Sequence, residues 1–280
     1  MQDILFHYCD VDAFYHIIKD STIWLSDVSK SNDYQECTLC RDKVDEGIER
    51  KLSNDKECLE AWQWGTAHRL KLNYHLLTYC ACFSESCDQL SQWRGYANGG
   101  KGISIGFNKE RLLELKTISE HHTSFGPVIY DKKQQEKYID RIVEDNLKKM
   151  RKKGVGHVAM ELNTNYRLKF PFIKNYSFAE EKEWRIVVSA SIGPYNIPSS
   201  NNFQFSQVKY RVSNGKLVSY IEMNFEKIKQ DLIKEIWIGP KANVEIDDIV
   251  NFLNMCGYYE DVPYNSDEPI KVRKSESSYR

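Results

Sequence analysis

The chain has 280 residues, 41% of them hydrophobic, with 39 Lys and Arg against 40 Asp and Glu. That length and apolar content suffice for one large domain or two small ones with a real core, and the near-zero net charge shows no general electrostatic attraction to nucleic acid, though it leaves room for a local patch. The N-terminal "MQDILFHYCD" has no basic start before a long apolar run, unlike a signal peptide, and no apolar run nears the roughly 20 residues that cross a bilayer. The expectation is a soluble cytoplasmic protein with no membrane partner.

In chain order, "ILFHYCD" (4–10) predicts a strand. Asp10 or Asp12 caps a following helix with Phe14, Ile17 and Ile18 on one face. "TIWLS" (22–26) is a second strand and "SNDYQE" (31–36) a turn opening a helix, with Asn32 and Asp33 as capping residues. The charged stretch from about 36 to 78 has Leu, Trp and Val at helical spacing and no proline. "TYCACFSE" (78–85) predicts a strand. "SCDQLSQWRGYANGGKG" (86–102) predicts a loop with a short helical piece, in which Gly99, Gly100 and Gly102 let the backbone turn freely and approach a ligand closely. "GISIGFN" (102–108) is a strand, "KERLLELK" a helix start, "PVIYD" (127–131) a strand, and 132–165 a long charged helix broken at "KKGVGH".

Further on, "FAEEKEWRIVVSA" leads into a strand, and "KYRVSNGKLVSYIEMNF" (209–225) is a hairpin around Asn214-Gly215, a type I′ turn signal. "IKEIWIGPKA" is a strand ended by Gly239-Pro240, "NVEIDDIVNFLNMCGY" a capped helix and "IKVRKSE" a last strand. Scattered strands with hairpin signals, long helices and no regular βαβ alternation predict an α+β fold with a mixed, mostly antiparallel sheet. The expected organisation is a single domain, 1–280, with helical insertions near 36–76 and 132–165.

Several motifs are absent. There is no GxxxxGK[ST], HExxH or GxSxG, and "GGKGISIG" precedes a strand rather than opening a helix as a phosphate loop would. "CTLC" (37–40) has no matching second pair, because "CACFSESC" (80–87) has the wrong spacing for a zinc ribbon. Cys80 and Cys82 read as small apolar side chains packed on one strand face, and no metal site is expected. The run "KKMRKK" (148–153) is the best candidate for a local basic patch and reads first as a solvated helix face, and His121-His122 read as loop residues.

The stretch "AEEKEWRIVVSA" (179–190) carries the functional question. Read with period two, Trp184, Ile186 and Val188 point one way, while Glu181, Glu183 and Arg185 point the other. The second face has two readings: an exposed strand face with cross-strand ion pairs, or the wall of a site. Trp24, Trp184 and Trp237 read as core.

The order "LFHYCDVDAFYHIIKDSTIWLSD", "SNDYQE", "CFSESCDQLSQWRGYANGGKGISIGF", "FAEEKEWRIV", "IKEIWIGPK" and "SESSYR" resembles a bacterial family known only as domain of unknown function 2971. "SQWRGY…GKGISIGF" and "EEKEWRIV" are its most specific parts. Members of that family look like phage-defence or toxin–antitoxin components, which would imply an antitoxin partner. The arrangement also looks like the ADP-ribosyltransferase fold, which opens with a strand bearing His or Arg, then a helix and a short strand, and later places a Glu on a strand near the site.

That resemblance implies NAD as substrate and a macromolecular acceptor, RNA, DNA or protein. It places Glu183 as the carboxylate facing the developing oxocarbenium charge, and Glu181 as the group that orients or deprotonates the acceptor. His7, with Tyr8 beside it, and Arg94 would bind ribose and pyrophosphate, with Ser91 on the same segment as Arg94. Arg185 would hold Glu183 ionised or contact a phosphate. Tyr96 and Tyr79 both fit the middle tyrosine of the pattern, and Tyr96 or Trp93 the wall for nicotinamide. Such a site would draw its walls from 5–9, 91–102 and 181–185. Each residue also has a structural reading: His7 as a hydrogen-bonded core histidine, Arg94 as a brace of its loop. Two other functions fit the same residues. One is a nuclease-like toxin holding Mg²⁺ with Glu181, Glu183 and Asp88; the other is a binding module without chemistry.

Overall fold

The computed structural model describes residues 4–30, 38–72, 76–117, 122–191, 197–213, 215–259 and 270–279. The expected turn at 31–36, with Asn32 and Asp33, lies outside them, as do Cys37, His121 and Asn214.

The elements run β1 (Ile4–Cys9), α1 (Val11–Asp20), β2 (Thr22–Asp27), α2 (Leu39–Leu52), α3 (Lys56–Leu72), β3 (Leu76–Ser84), α4 (Leu90–Tyr96), β4 (Ile103–Asn108), α5 (Lys109–Leu113) and β5 (Thr123–Pro127). They continue with α6 (Lys132–Lys153), α7 (Val155–Tyr166), β6 (Glu183–Ser191), β7 (Gln204–Phe205), β8 (Lys209–Ser213), β9 (Lys216–Asn224), α8 (Lys229–Leu232), β10 (Ile233–Ile238), α9 (Ile246–Met255) and β11 (Lys271–Lys274). The chain is mixed α/β with an open, mostly antiparallel sheet, in which β10–β11 is the parallel pair among the paired strands.

Local chemistry accounts for most boundaries. Asp10 has extended backbone and its carboxylate accepts from Ala13 N, which caps α1. Glu245 and Asp248 form a reciprocal capping box on α9. Gly154 separates α6 from α7 at φ 86°, a conformation that favours glycine. The strand expected at 127–131 is shifted: β5 ends at Pro127, and beyond it a single bridge joins Ile129 to Ile173. The chain leaves β6 there and turns to the segment around Phe172, so the apolar run "VI" serves a crossing rather than a ladder.

The sheet forks at β3. One edge of β3 pairs with β6 along its length, from Leu76↔Ser191 to Ser84↔Glu183. Its other edge is shared by two strands. β1 meets it at Phe6↔Ser84, and β2 meets it at Ser26↔Cys80 and Asp27↔Tyr79. Between those points β1 and β2 diverge, because α1 joins them. β1 continues into β4, β10 and β11, and β2 into β9.

On one face of the sheet lies the main core, where Leu5, Ile23, Leu25, Phe83, Ile186 and Val188 pack with Phe14 and Ile18 of α1 and Leu253 of α9. The two long helical stretches build a second core together: Cys40, Val44 and Ile48 of α2 and Trp62 of α3 pack against Ile142, Val143 and Val158 of α6 and α7. These helices lead back through Phe170–Phe172, so that Leu168 and Phe172 lie on Val187 and cover the other face of β6.

Candidate functional site

The covered face of β6 holds Glu183 and Arg185, with Glu181 and Lys174 beside them. Arg185 (1% exposed), Glu183 (6%), Glu181 (8%) and Lys174 (3%) are all buried. The exposed-face reading of Glu181, Glu183 and Arg185 is therefore overturned: period two identified which residues share a face, but not that 170–181 would lie over it. Glu181 is also not on the strand. It ends a 3₁₀ segment, Tyr176–Glu181, and Lys182 in the left-handed region (φ 44°) turns the chain before β6 begins.

That turn brings both carboxylates to one ammonium. Lys174 Nζ donates to Glu181 Oε2 at 2.6 Å and to Glu183 Oε2 at 3.2 Å. Arg185 donates to Glu183 through Nε (2.9 Å) and Nη2 (2.8 Å), and its Nη1 donates to the Pro171 carbonyl at 2.6 Å. Burial alone would raise the Glu183 pKa, but Arg185 and Lys174 outweigh it and hold the carboxyl below its usual range. Lys174 is itself positioned by its backbone N–H, which donates to the Ile129 carbonyl at 3.3 Å, and by Gln135 Nε2, which donates to the Lys174 carbonyl at 2.7 Å.

Beside this cluster is a cleft of about 60 Å³ lined by Phe6, His7, Tyr8, Cys82, Phe83, Gln92, Tyr96, Glu181 and Glu183. It opens where the sheet forks. His7 sits in the wedge between β1 and β3, with Nδ1 2.8 Å from the Cys82 carbonyl, on the stretch of β3 that neither β1 nor β2 pairs. Burial lowers the His7 pKa against that hydrogen bond, so the ring is neutral at pH 7. A neutral ring whose Nδ1–H is given to a carbonyl leaves Nε2 as an acceptor. Gln92 and Tyr96, four apart on α4, share the helix face that closes the cleft. Tyr96 Oη donates to Glu181 Oε1 at 3.0 Å.

The other expected site residues fall elsewhere. Tyr8 lines the cleft, but its hydroxyl donates to the Ser86 carbonyl and accepts from Gln89 N. Trp93 is fully buried in a cluster with Phe6, Tyr8 and Trp237, and its Nε1 donates to Asp88, so it is not a wall of the cleft. Arg94 lies over the Tyr279 ring at 4.7 Å, on the side of α4 away from the cleft. Ser91 does not line the cleft, and its buried Oγ has no partner among the described residues. Arg185 acts on Glu183 rather than lining the cleft itself. Of the two tyrosines, Tyr79 is in the main core and Tyr96 is at the cleft. Of the glycines of 99–102, Gly102 serves protein packing, since a Cβ there would stand 2.1 Å from the Cys9 carbonyl, while Gly99 has nothing within 4 Å of a built Cβ. Asp88 does not join Glu181 and Glu183, because its carboxylate accepts from Trp93 Nε1, Ser275 Oγ and Glu276 N. Among the described residues, no group of three or more His, Cys, Asp or Glu is placed to hold a metal.

Sequence reasoning missed three residues. Lys174 had one faint signal, as one of the two lysines that flank the apolar run "FPFI". Tyr130, whose hydroxyl accepts from Glu183 N at 3.2 Å, had none. Gln92 was signalled only by its helical spacing from Tyr96.

Fold and site thus define a mixed α/β protein with a forked sheet and a small polar cleft at the fork. Residues 92–186 match the model of a family described as protein of unknown function (DUF2971), which bears out the family resemblance over that stretch. Among curated proteins and among solved structures, nothing matches the chain significantly. Among the described residues, no helix is long and apolar enough to cross a membrane.

Proposed function

We propose that the cleft takes the nicotinamide–ribose end of NAD⁺ and that the protein transfers ADP-ribose to a macromolecular acceptor, as an effector of a toxin or phage-defence system. The observation that supports this reading is the meeting of a neutral His7 and an ionised Glu183 in one cleft across the fork of the sheet. In the reaction, the bond between ribose C1′ and the nicotinamide nitrogen breaks. Its electron pair leaves with nicotinamide, which becomes neutral, and positive charge develops on the ribose. Glu183 holds the 2′-hydroxyl and faces that charge, and contact strengthens as the charge grows. The Nε2 of His7 accepts from a ribose hydroxyl. An acceptor hydroxyl, amine or carboxyl then bonds to C1′, and any proton it carries passes to Glu181, whose place beside Tyr96 at the cleft suits that role. Arg185 and Lys174 act through the carboxylates and are positioning residues.

The cleft's volume of about 60 Å³ corresponds to roughly four to six waters. It is smaller than the dinucleotide, so part of the ligand lies outside it. The test is incubation of the full chain with NAD⁺ and mass spectrometry for free nicotinamide and for ADP-ribose on protein or nucleic acid. Nicotinamide release that Glu183→Gln abolishes supports the reading. No release by a folded wild-type chain, with candidate RNA, DNA and protein acceptors present, removes it.

A further inference from the structure

The geometry points to a second subsite at Arg211, which takes the phosphates of a nucleotide, on the same sheet face as the cleft. Arg211 projects from β8 and is half-buried. Its guanidinium carbon lies 5.0 Å from the Trp24 ring centre and 5.6 Å from that of Tyr220. Its Nη2 donates to Ser26 Oγ at 2.9 Å, and its Nε is buried without a partner. No carboxylate among the described residues forms an ion pair with it. Asp10 acts on it only through space and is engaged in capping α1. The neighbouring Glu222 is neutralised by Lys209 at 2.6 Å.

Withdrawing part of a guanidinium from water without an anion carries a cost. Here the aromatic rings supply part of the missing stabilisation through their negative faces, and they hold the planar fork in one orientation. A fixed fork is what bidentate phosphate recognition requires.

Position links the subsite to the cleft. Paired residues of antiparallel strands project to the same face, and Ser26 pairs with Cys80. Cys80 and Cys82 share that face, with their sulfurs 3.6 Å apart, and Cys82 lines the cleft. Ser26, which holds the guanidinium, is therefore about 7 Å along the sheet and about 5 Å across it from Cys82. The cleft is too small for a dinucleotide, and Arg211 offers a cation where the remainder would emerge. In its choice of ligand, the adenosine diphosphate half of NAD⁺, the inference rests on the reading of the cleft; in its anion chemistry it does not.

Titration calorimetry with ADP-ribose, which lacks nicotinamide, tests the subsite on the full chain. Wild type should bind it at millimolar concentration or below. Arg211→Gln should weaken binding at least tenfold, and Arg211→Lys, which keeps charge but loses the fork, should fall between. If NAD⁺ is turned over, Arg211→Gln should raise KM and leave kcat unchanged. Unaltered ADP-ribose binding by a folded Arg211→Gln chain, or no binding by wild type at millimolar concentration, overturns the inference. Should Arg211→Gln fail to fold, Arg211→Lys decides alone: wild-type affinity overturns the subsite, and weakened binding supports it. Arg211-dependent binding without nicotinamide release would leave this subsite standing while the transferase reading fails. Turnover with no effect of Arg211 would do the reverse.

Discussion

Lys174 Nζ lies 2.6 Å from Glu181 Oε2, and the same ammonium reaches Glu183 at 3.2 Å, so one buried cation joins two carboxylates that belong to different local structures. Its removal leaves those carboxylates short of countercharge. Lys174→Met is expected to destabilise the chain by about 3–5 kcal/mol, the scale for breaking one side of a buried ion pair. Urea denaturation with an unchanged midpoint would show that the cluster is solvated in solution.

Glu183→Gln should lower nicotinamide release by about a hundredfold or more if the carboxylate faces transition-state charge. The structure changes the stability expected of this variant. A surface glutamate would lose nothing measurable, but Glu183 is held by Arg185 and Lys174 in a buried pocket. The variant is expected to melt below wild type, so activity should be read at a temperature where both are folded. Tyr96→Phe is the milder companion: Tyr96 is 42% exposed and loses one hydrogen bond, which costs about 0.5–1.5 kcal/mol. Full turnover by a folded Glu183→Gln chain would end the transferase reading.

The acid limb of stability should carry two contributions. Glu183 has a folded pKa below its ordinary 4.5, so its stabilisation is complete above 4.5 and is lost as pH falls through the lower folded value. His7 is lowered from 6.5 by burial, so its neutral form favours the fold above 6.5, and stability declines as pH falls below that toward its folded pKa. His7→Gln should flatten the pH dependence of the melting temperature just below 6.5 and leave the lower limb in place. A slope there that matches wild type would mean that His7 titrates normally.

Trp184→Ala tests how the two faces of β6 are assigned. A fully buried Trp would cost about 3–5 kcal/mol, the loss expected while Trp184 reads as core. Trp184 is half-buried instead: it packs on Phe125 at 5.4 Å, donates to Glu85 at 2.8 Å and carries Lys109 over its ring at 4.2 Å. A loss of about 2–3 kcal/mol is expected, since part of the ring stays wet in the native state. Equilibrium unfolding that reports the full core value would place the ring deeper than it lies here.

Lys182 gives a backbone test that leaves the carboxylates untouched. At φ 44° it adopts a conformation that L-residues reach at a cost of roughly 1–2 kcal/mol. Lys182→Gly should be neutral or stabilise by up to about 1 kcal/mol, and Lys182→Val should destabilise. Calorimetric melting of the two variants in the opposite order would mean that the turn between Glu181 and Glu183 is not strained.

Local pattern in the sequence determined most of the elements. The spacing of Phe14, Ile17 and Ile18 behind the Asp10 cap specified α1 and its buried face, and alternation around Gly215 specified the β8–β9 hairpin. Period two also separated Trp184, Ile186 and Val188 from Glu183 and Arg185, because side-chain direction along a strand depends on the backbone alone. What covers each face depends on segments far along the chain. Only tertiary structure placed 170–181 over β6, joined the two helical stretches into one core, and brought Lys174 to carboxylates seven and nine residues away. Arg94 and Trp93 share a motif with Tyr96, yet successive helix positions point about 100° apart, so one motif serves the cleft, the core and the C-terminal segment at once. The fork that admits His7 arises because β1 and β2 compete for one edge of β3, a long-range choice that no short window of residues encodes.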